Sequence, residues 1–348
     1  MENHSSKPDL DGAGALLARA AAAERRAGRR LGTIALDLAA ADEDRLDDET
    51  RATMRAMLSR LIGAVAADLG HYARRQLPPA AEDRETLVDR LVGAGVLDEP
   101  LLAELLLRAN EARIADRLAI EQPGDSGRSG LLPRLANSPD RLAAAASGAL
   151  MAAEARRRGA GADAGRDDLP AELQHRLVWW TAAALRPADG SVALDAALAD
   201  AAQRVLAAHD EGARMEAVAQ RLAMALDDSP DDLSGILEEA LADRRMALVA
   251  ALIAHRLGID LTLARTMLAE PDGDRLLLAL RALDIPHETL ARIAVALADA
   301  DRRRSMTAVP DVVEAVMSVS PDEARGALAT LRLPAGYRAA LAALERAH

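Results

Sequence analysis

Apolar residues recur at intervals of three and four along most of the chain. The clearest run is "ETRATMRAMLSRLIGAVAADLGHYARRQL" (49–77), which sets Met54, Met57, Leu58, Leu61, Ile62, Val65 and Leu69 on one face. That spacing predicts a long amphipathic helix, closed by Pro78 and Pro79. Upstream, "GALLARAAAAERRAGRRLGTIALDLAAA" (14–41) reads as a helix bent near Gly28 and Gly32, and Asp47 and Asp48 offer N-caps for the next helix. Further helices are expected over Glu85–Val92, Pro100–Ala119 and Leu131–Ala136, and from "SPD" (138–140) to Arg158, with Gly93 and Gly95 breaking the first pair.

The second half predicts helices of 10–20 residues with short connections. Their starts are marked by "LPAE" (169), "DEGA" (210), "SPDD" (229), "PDGD" (271), "IPHE" (285) and "SPDE" (320), which place Pro, Asp or Ser where a first turn needs a fixed φ or a cap. A short echo runs through this region: "LGID" (257–260), "LDIP" (283–286) and "LRLP" (331–334) each follow a Leu/Ala-rich helix. Stacked helical hairpins produce such repeats, because one hairpin cannot bury its apolar face alone. The fold class expected is therefore all-α, a helical hairpin repeat array in two parts. Residues 1–14 read as a disordered N-terminus, 15–158 as an N-terminal helical domain, "GAGADAGRDD" (159–168) as a linker, and 169–348 as a C-terminal repeat domain.

Composition sharpens this picture. The chain has 348 residues, 50% of them hydrophobic but only 1% aromatic, so its core must be built from Ala, Leu, Val and Met, which favours closely packed helices. Cysteine is absent, removing disulfides, thiolate metal sites and cysteine nucleophiles. A net charge of −12 disfavours a nucleic-acid partner unless the arginines segregate. The candidates for segregation are "ERRAGRR" (24–30), "ARRRG" (155–159) and "DRRRS" (301–305). No uncharged run reaches the ~20 residues of a membrane span. No leader segment is visible either, and a cytoplasmic location is expected.

An arginine-spotted long N-terminal helix, "DLPAEL" opening a central helix at Asp168, Leu169 and Pro170, and "DGDRLLLALRALDI" in the C-terminal half together resemble an alphaproteobacterial domain-of-unknown-function family with HEAT-like helical repeats. The resemblance extends over residues 15–345 and implies a fold but no catalytic residues. This sequence departs from the pattern in its richer alanine content and in the Gly/Ala segment before Asp168.

Candidate chemistry is sparse. No metal-binding histidine spacing, phosphate-binding glycine loop or nucleophile elbow occurs, so no cofactor, metal or catalytic residue is expected. Trp179 and Trp180 are the only tryptophans, and neighbours on a helix point about 100° apart. Leu169, Leu173, Leu177, Trp180 and Ala184 form an expected buried stripe. Trp179 lies on another arc with His175, Arg176 and Arg186. Two readings of that arc stand: a second covered side, or an exposed anchor of the composition that interface centres favour. The function expected is a non-enzymatic scaffold or regulatory adaptor binding a protein or acidic peptide, with a second copy of the chain among the candidate partners. Two alternatives are kept. One is a nucleic-acid reader, with "ALIAHRLGIDLTLARTMLAE" (251–270) as a helix-turn-helix and Arg265 as its reading cation. The other is a phosphorelay component using His71.

Overall fold

The computed structural model describes residues 46–75, 83–118, 130–158, 169–187, 190–227 and 232–346. The expected disordered N-terminus (1–14), the first helix with its arginine cluster 24–30, and the linker 159–168 lie outside the described residues. The described chain is all-α. Sixteen α-helices and three short 3₁₀ turns, Glu211–Ala213, Met306–Ala308 and Ala329–Arg332, succeed one another, with no strand among the described residues.

The chain divides into two compact units, Met1–Arg51 and Ala52–His348. Of the first, only residues 46–51 are described, and there Asp47 is the N-cap, its carboxylate accepting from the Thr50 amide at 2.6 Å. The helix it opens is α1 (Asp48–Tyr72), followed by α2 (Arg84–Ala94), α3 (Glu99–Arg117), α4 (Leu131–Ala136) and α5 (Arg141–Arg158). Then come α6 (Ala171–Ala184), α7 (Val192–Ala207), α8 (Met215–Ala225), α9 (Leu233–Ala242) and α10 (Met246–Leu257). The chain continues through α11 (Leu261–Ala269), α12 (Asp274–Ala282), α13 (His287–Ala300), α14 (Val309–Met317), α15 (Pro321–Ala327) and α16 (Ala335–Arg346).

The larger unit holds two apolar cores. The first joins Leu58, Ile62, Val65 and Leu69 of α1 to Leu91 of α2, Leu101 and Leu105 of α3, Leu177 and Val178 of α6, and Leu198 of α7. The second gathers α4, α5 and α8–α15 around α10, where Met246 to Ala254 are all buried. A helix apolar on every side belongs at the centre of its layer. These cores do not follow the boundary expected at 159–168. Helices before that segment (α1–α3) share a core with helices after it (α6, α7), and α4 and α5 share one with α8–α15. Burial partners are set by which apolar faces meet, and composition does not record that.

α3 serves both cores. Leu101, Leu105 and Ala109 enter the first, Ile114 and Leu118 the second.

The echoed tetrapeptides have a physical origin. At Gly258 the backbone is left-handed (φ 66°), and the Ile259 amide donates to the Ala254 carbonyl at 3.0 Å. At Asp284 φ is 58°, and the Ile285 amide donates to Leu280 at 3.1 Å. Both are Schellman caps, in which the residue after the left-handed position returns an apolar side chain to its own helix; Ile285 is buried. The third echo, "LRLP", differs: Arg332 ends a 3₁₀ turn and no left-handed residue follows. "DEGA" likewise opens a 3₁₀ turn, with Asp210 accepting from Gly212, and α8 begins only at Met215. "SPDE" is a full capping box between Ser320 and Glu323.

Candidate binding sites

The tryptophan pair lies on α6 against the first core. Leu169, Gln174, Leu177, Val178, Thr181 and Ala182 make up the buried face. Trp180, expected in the buried stripe, is instead half-buried, as is Trp179, and both lean on the core edge. The buried stripe is therefore displaced toward Val178, on a helix that packs against α7 and α2.

Trp179 donates from Nε1 to His175 Nε2 at 3.1 Å, and the two rings meet edge-on with centroids 6.2 Å apart. Arg176 belongs to the other tryptophan: its guanidinium lies 4.8 Å from the Trp180 ring. It also donates to the carbonyls of Val96 and Gly95, each at 3.1 Å, and pairs with Asp98 at 3.1 Å. Arg176 thus clamps the turn between α2 and α3. Arg186 pairs with Asp195 and donates to the Gly190 carbonyl at 3.0 Å. Of the four residues expected to form one binding patch, His175 and Trp179 stand together, while the two arginines hold the fold.

Arg265, the cation assigned to a helix-turn-helix reading, is 2% exposed and lies inside the molecule. It donates to both oxygens of Glu111, at 2.7 and 2.8 Å, and to Glu104 at 3.2 Å. A buried, doubly paired guanidinium cannot reach a DNA groove. Of the described members of the other arginine clusters, all but the exposed Arg302 are engaged. Arg156 donates to the Ala213 carbonyl, Arg157 pairs with Glu216, Arg303 pairs with Asp301, and Arg304 donates to the Leu268 carbonyl. His71 is exposed in the last turn of α1, in edge contact with Tyr72.

The sequence reading overlooked a buried ionic network along α3. Glu104 and Arg108 pair at 2.5 Å, Arg108 reaches Glu216 of α8 at 3.3 Å, and Arg157 of α5 meets the same Glu216 oxygen at 2.9 Å. Burial by itself would push the Glu216 carboxyl up, but Arg108, Arg157 and Arg265 outweigh it and hold the group well below the ordinary carboxylate range. At Glu154 the balance reverses, since burial prevails over Arg245, Arg158 and Arg157 and its pKa is raised. Asp301, fully buried beyond α13, is lowered: burial opposes ionisation, and Arg303 and Arg113 overcome it. A signal for this was present. Arg265 is spaced by four from Leu261 and by three from Leu268, so the helical period puts it within an apolar stripe, where a charge must be paired.

Beside this network a cavity of about 310 Å³ opens among α1, α3, α5, α8 and the start of α10. Met57, Leu61, Met215 and Met246 supply apolar wall, and six arginines, Arg60, Arg108, Arg157, Arg158, Arg244 and Arg245, line it.

The sequence pattern of the family described as "Uncharacterised protein conserved in bacteria (DUF2336)" matches residues 127–329. The chain belongs to that family. The matched span holds α4 through α15, hence the whole second core apart from the end of α3, and leaves α1–α3 and α16 outside. It is shorter than the 15–345 over which the resemblance was read. No curated protein and no solved structure matches the chain. Among the described residues no group of three or more His, Asp or Glu is arranged to hold a metal ion, and no helix is long and apolar enough to cross a membrane.

Proposed function

We propose that this member of the family is a non-enzymatic protein-binding module, a scaffold or regulatory adaptor in the bacterial cytoplasm. One observation carries the reading. In α16 none of the described side chains is buried, and Tyr337, Leu341 and Leu344, spaced by four and three, form an exposed apolar row. A helix of 12 residues is marginal in water on its own, and an apolar row at that spacing is what a helix lays into a partner's groove. The edge-on His175–Trp179 pair offers a second, smaller anchor of the type found at contact centres.

The proposal includes a HEAT-like organisation and relatives centred on alphaproteobacteria. Its support is the matched left-handed caps joining α10 to α11 and α12 to α13, and an alanine and arginine bias of the sort a GC-rich genome imposes. The acidic-peptide preference loses most of its support, because the described arginines named above, Arg302 apart, spend their donors inside the fold. No observation favours the phosphorelay alternative through His71. The nucleic-acid alternative is weakened by the burial of Arg265.

Affinity capture from the native bacterium tests the reading. The wild-type chain is compared with the Leu341→Asp/Leu344→Asp variant, both checked for equal helicity and melting temperature. A chain enriched on the wild type and lost from the variant is expected. Equal recovery on both would remove the proposed interface.

A further inference from the structure

The cavity between the two cores has a charge and shape that protein docking through α16 does not use. Of its lining carboxylates, Glu111 is taken by Arg265, Glu154 is taken by Arg245 and Arg158, and Asp116 is exposed. Behind the wall, Glu104 and Glu216 bond to the lining arginines. Among the described residues, and with Arg265 counted, seven arginines that line or back this space meet five carboxylates, an excess of two positive charges. Arg60, at the exposed edge, makes no hydrogen bond or ion pair with any described residue. Arg244 has no carboxylate partner and donates only to the Leu118 carbonyl, at 2.6 Å. The Nε atoms of Arg244 and Arg245 are buried without a hydrogen-bond partner among the described residues.

α9 ends here in a further Schellman cap, the Arg245 amide donating to the Ala240 carbonyl at 2.7 Å. Arg244 occupies the left-handed region, with φ 62°, at the end of α9, a position that favours glycine. The twist sets Arg244 and Arg245 side by side on the cavity wall at the entrance to α10.

The rest of the wall is Met57, Met215, Met246 and small aliphatic side chains, with no aromatic ring. Methionines adapt their shape to an apolar guest, and a ring on which a nucleobase would stack is missing from the lining. Guanidinium forks match phosphate oxygens, and an excess of two positive charges matches a phosphate monoester, which is close to dianionic at neutral pH, better than a carboxylate.

We propose that this cavity binds a small phosphate monoester carrying an aliphatic body, its phosphate held by Arg60, Arg244 and Arg245 and its chain against Met57, Met215 and Met246. The proposal is independent of the docking reading for α16.

Titration calorimetry and thermal melting of the full chain test it, with hexyl phosphate as the probe and inorganic phosphate, hexanoate and hexanol as comparisons. Hexyl phosphate is expected to bind and to raise the melting temperature with concentration, and each comparison ligand to bind at least about tenfold more weakly. Arg60→Gln, which breaks no internal bond, should melt like the wild type and weaken hexyl phosphate by about tenfold. Arg244→Gly, which relieves the left-handed strain, should keep the fold and also bind more weakly. The Leu341→Asp/Leu344→Asp variant should bind hexyl phosphate as the wild type does, so that failure of one proposal leaves the other readable. Absence of binding, equal binding of inorganic phosphate, or an Arg60→Gln variant with unchanged affinity would each overturn the assignment.

Discussion

At the scale of single residues, the two adjacent tryptophans have different tasks. Trp180 is a floor for Arg176, and that arginine in turn ties the α2–α3 turn to α6, whereas Trp179 bonds only to His175 on its own helix. Trp180→Ala should therefore cost about 2 kcal/mol, combining part of an aromatic's burial with the lost cation–π contact. Trp179→Ala should cost less than half as much. Urea denaturation of the two variants checks the order, and equal losses would mean that Arg176 is held by its carbonyl and Asp98 contacts alone. The buried ion pairs give a pH signature. Glu216 and Asp301 ionise more readily in the folded chain than in the unfolded one, so their contribution is present above the ordinary carboxylate pKa. It is lost as pH falls from about 4.3 for Glu216, and from about 3.9 for Asp301, toward their folded values. Glu216→Gln should lower stability at pH 7 and flatten the acid limb of the melting curve. An unchanged acid limb would mean that Glu216 is not ionised in the native state. Arg265→Ala should be more severe, costing about 3–5 kcal/mol, because it leaves Glu104 and Glu111 facing each other without their shared cation.

At the scale of elements, helix starts and stops were largely legible. Asp47 and Ser320 cap as local chemistry predicts, and Gly95, with φ 93°, closes α2 where the glycines interrupt the pattern. Those signals act within one turn, so sequence carries them whole. The side that each helix buries was less legible. On α6 the stripe through Trp180 gives way to one through Gln174, Val178 and Thr181, because a helix with apolar residues on two sides is oriented by whichever neighbours press on it. On α11 the spacing of Arg265 from Leu261 and Leu268 already points it inward, against the role of an outward reading cation. The Trp179 patch was half legible. The His175–Trp179 pairing follows from a spacing of four, whereas the commitment of Arg176 to Val96 depends on a contact 80 residues away that periodicity does not reveal. α16 carries its own prediction. Ending the chain at residue 334 should leave the melting temperature within about 1 °C, since α16 adds no buried described side chain to either core. A drop of several degrees would show that α16 is part of the folded unit.

At the scale of the whole molecule, the interleaving of the two cores is the feature that composition obscured. α3 joins them, and its charged side chains, Glu104, Arg108, Glu111 and Arg113, lie where the apolar faces of the two cores hand over. Buried ion pairs of this kind add little net stability but penalise wrong packing, because any displacement leaves a charge unpaired. They therefore fix how α1–α3 meet the family-matched helices, and in doing so they shape the arginine-lined cavity. An alanine-rich chain with few aromatics has many near-equivalent ways to pack its helices, and the ionic contacts distinguish among them. The docking account rests on α16 standing free in the isolated chain and covered in its complex. Amide hydrogen exchange followed by mass spectrometry tests this directly, on the full chain alone and after capture of its partner. The account predicts that residues 335–346 exchange fastest among the helices when free, with α10 slowest, and that α16 gains protection on capture. An α16 already as protected as α10 in the free chain, or unchanged on capture, would contradict it.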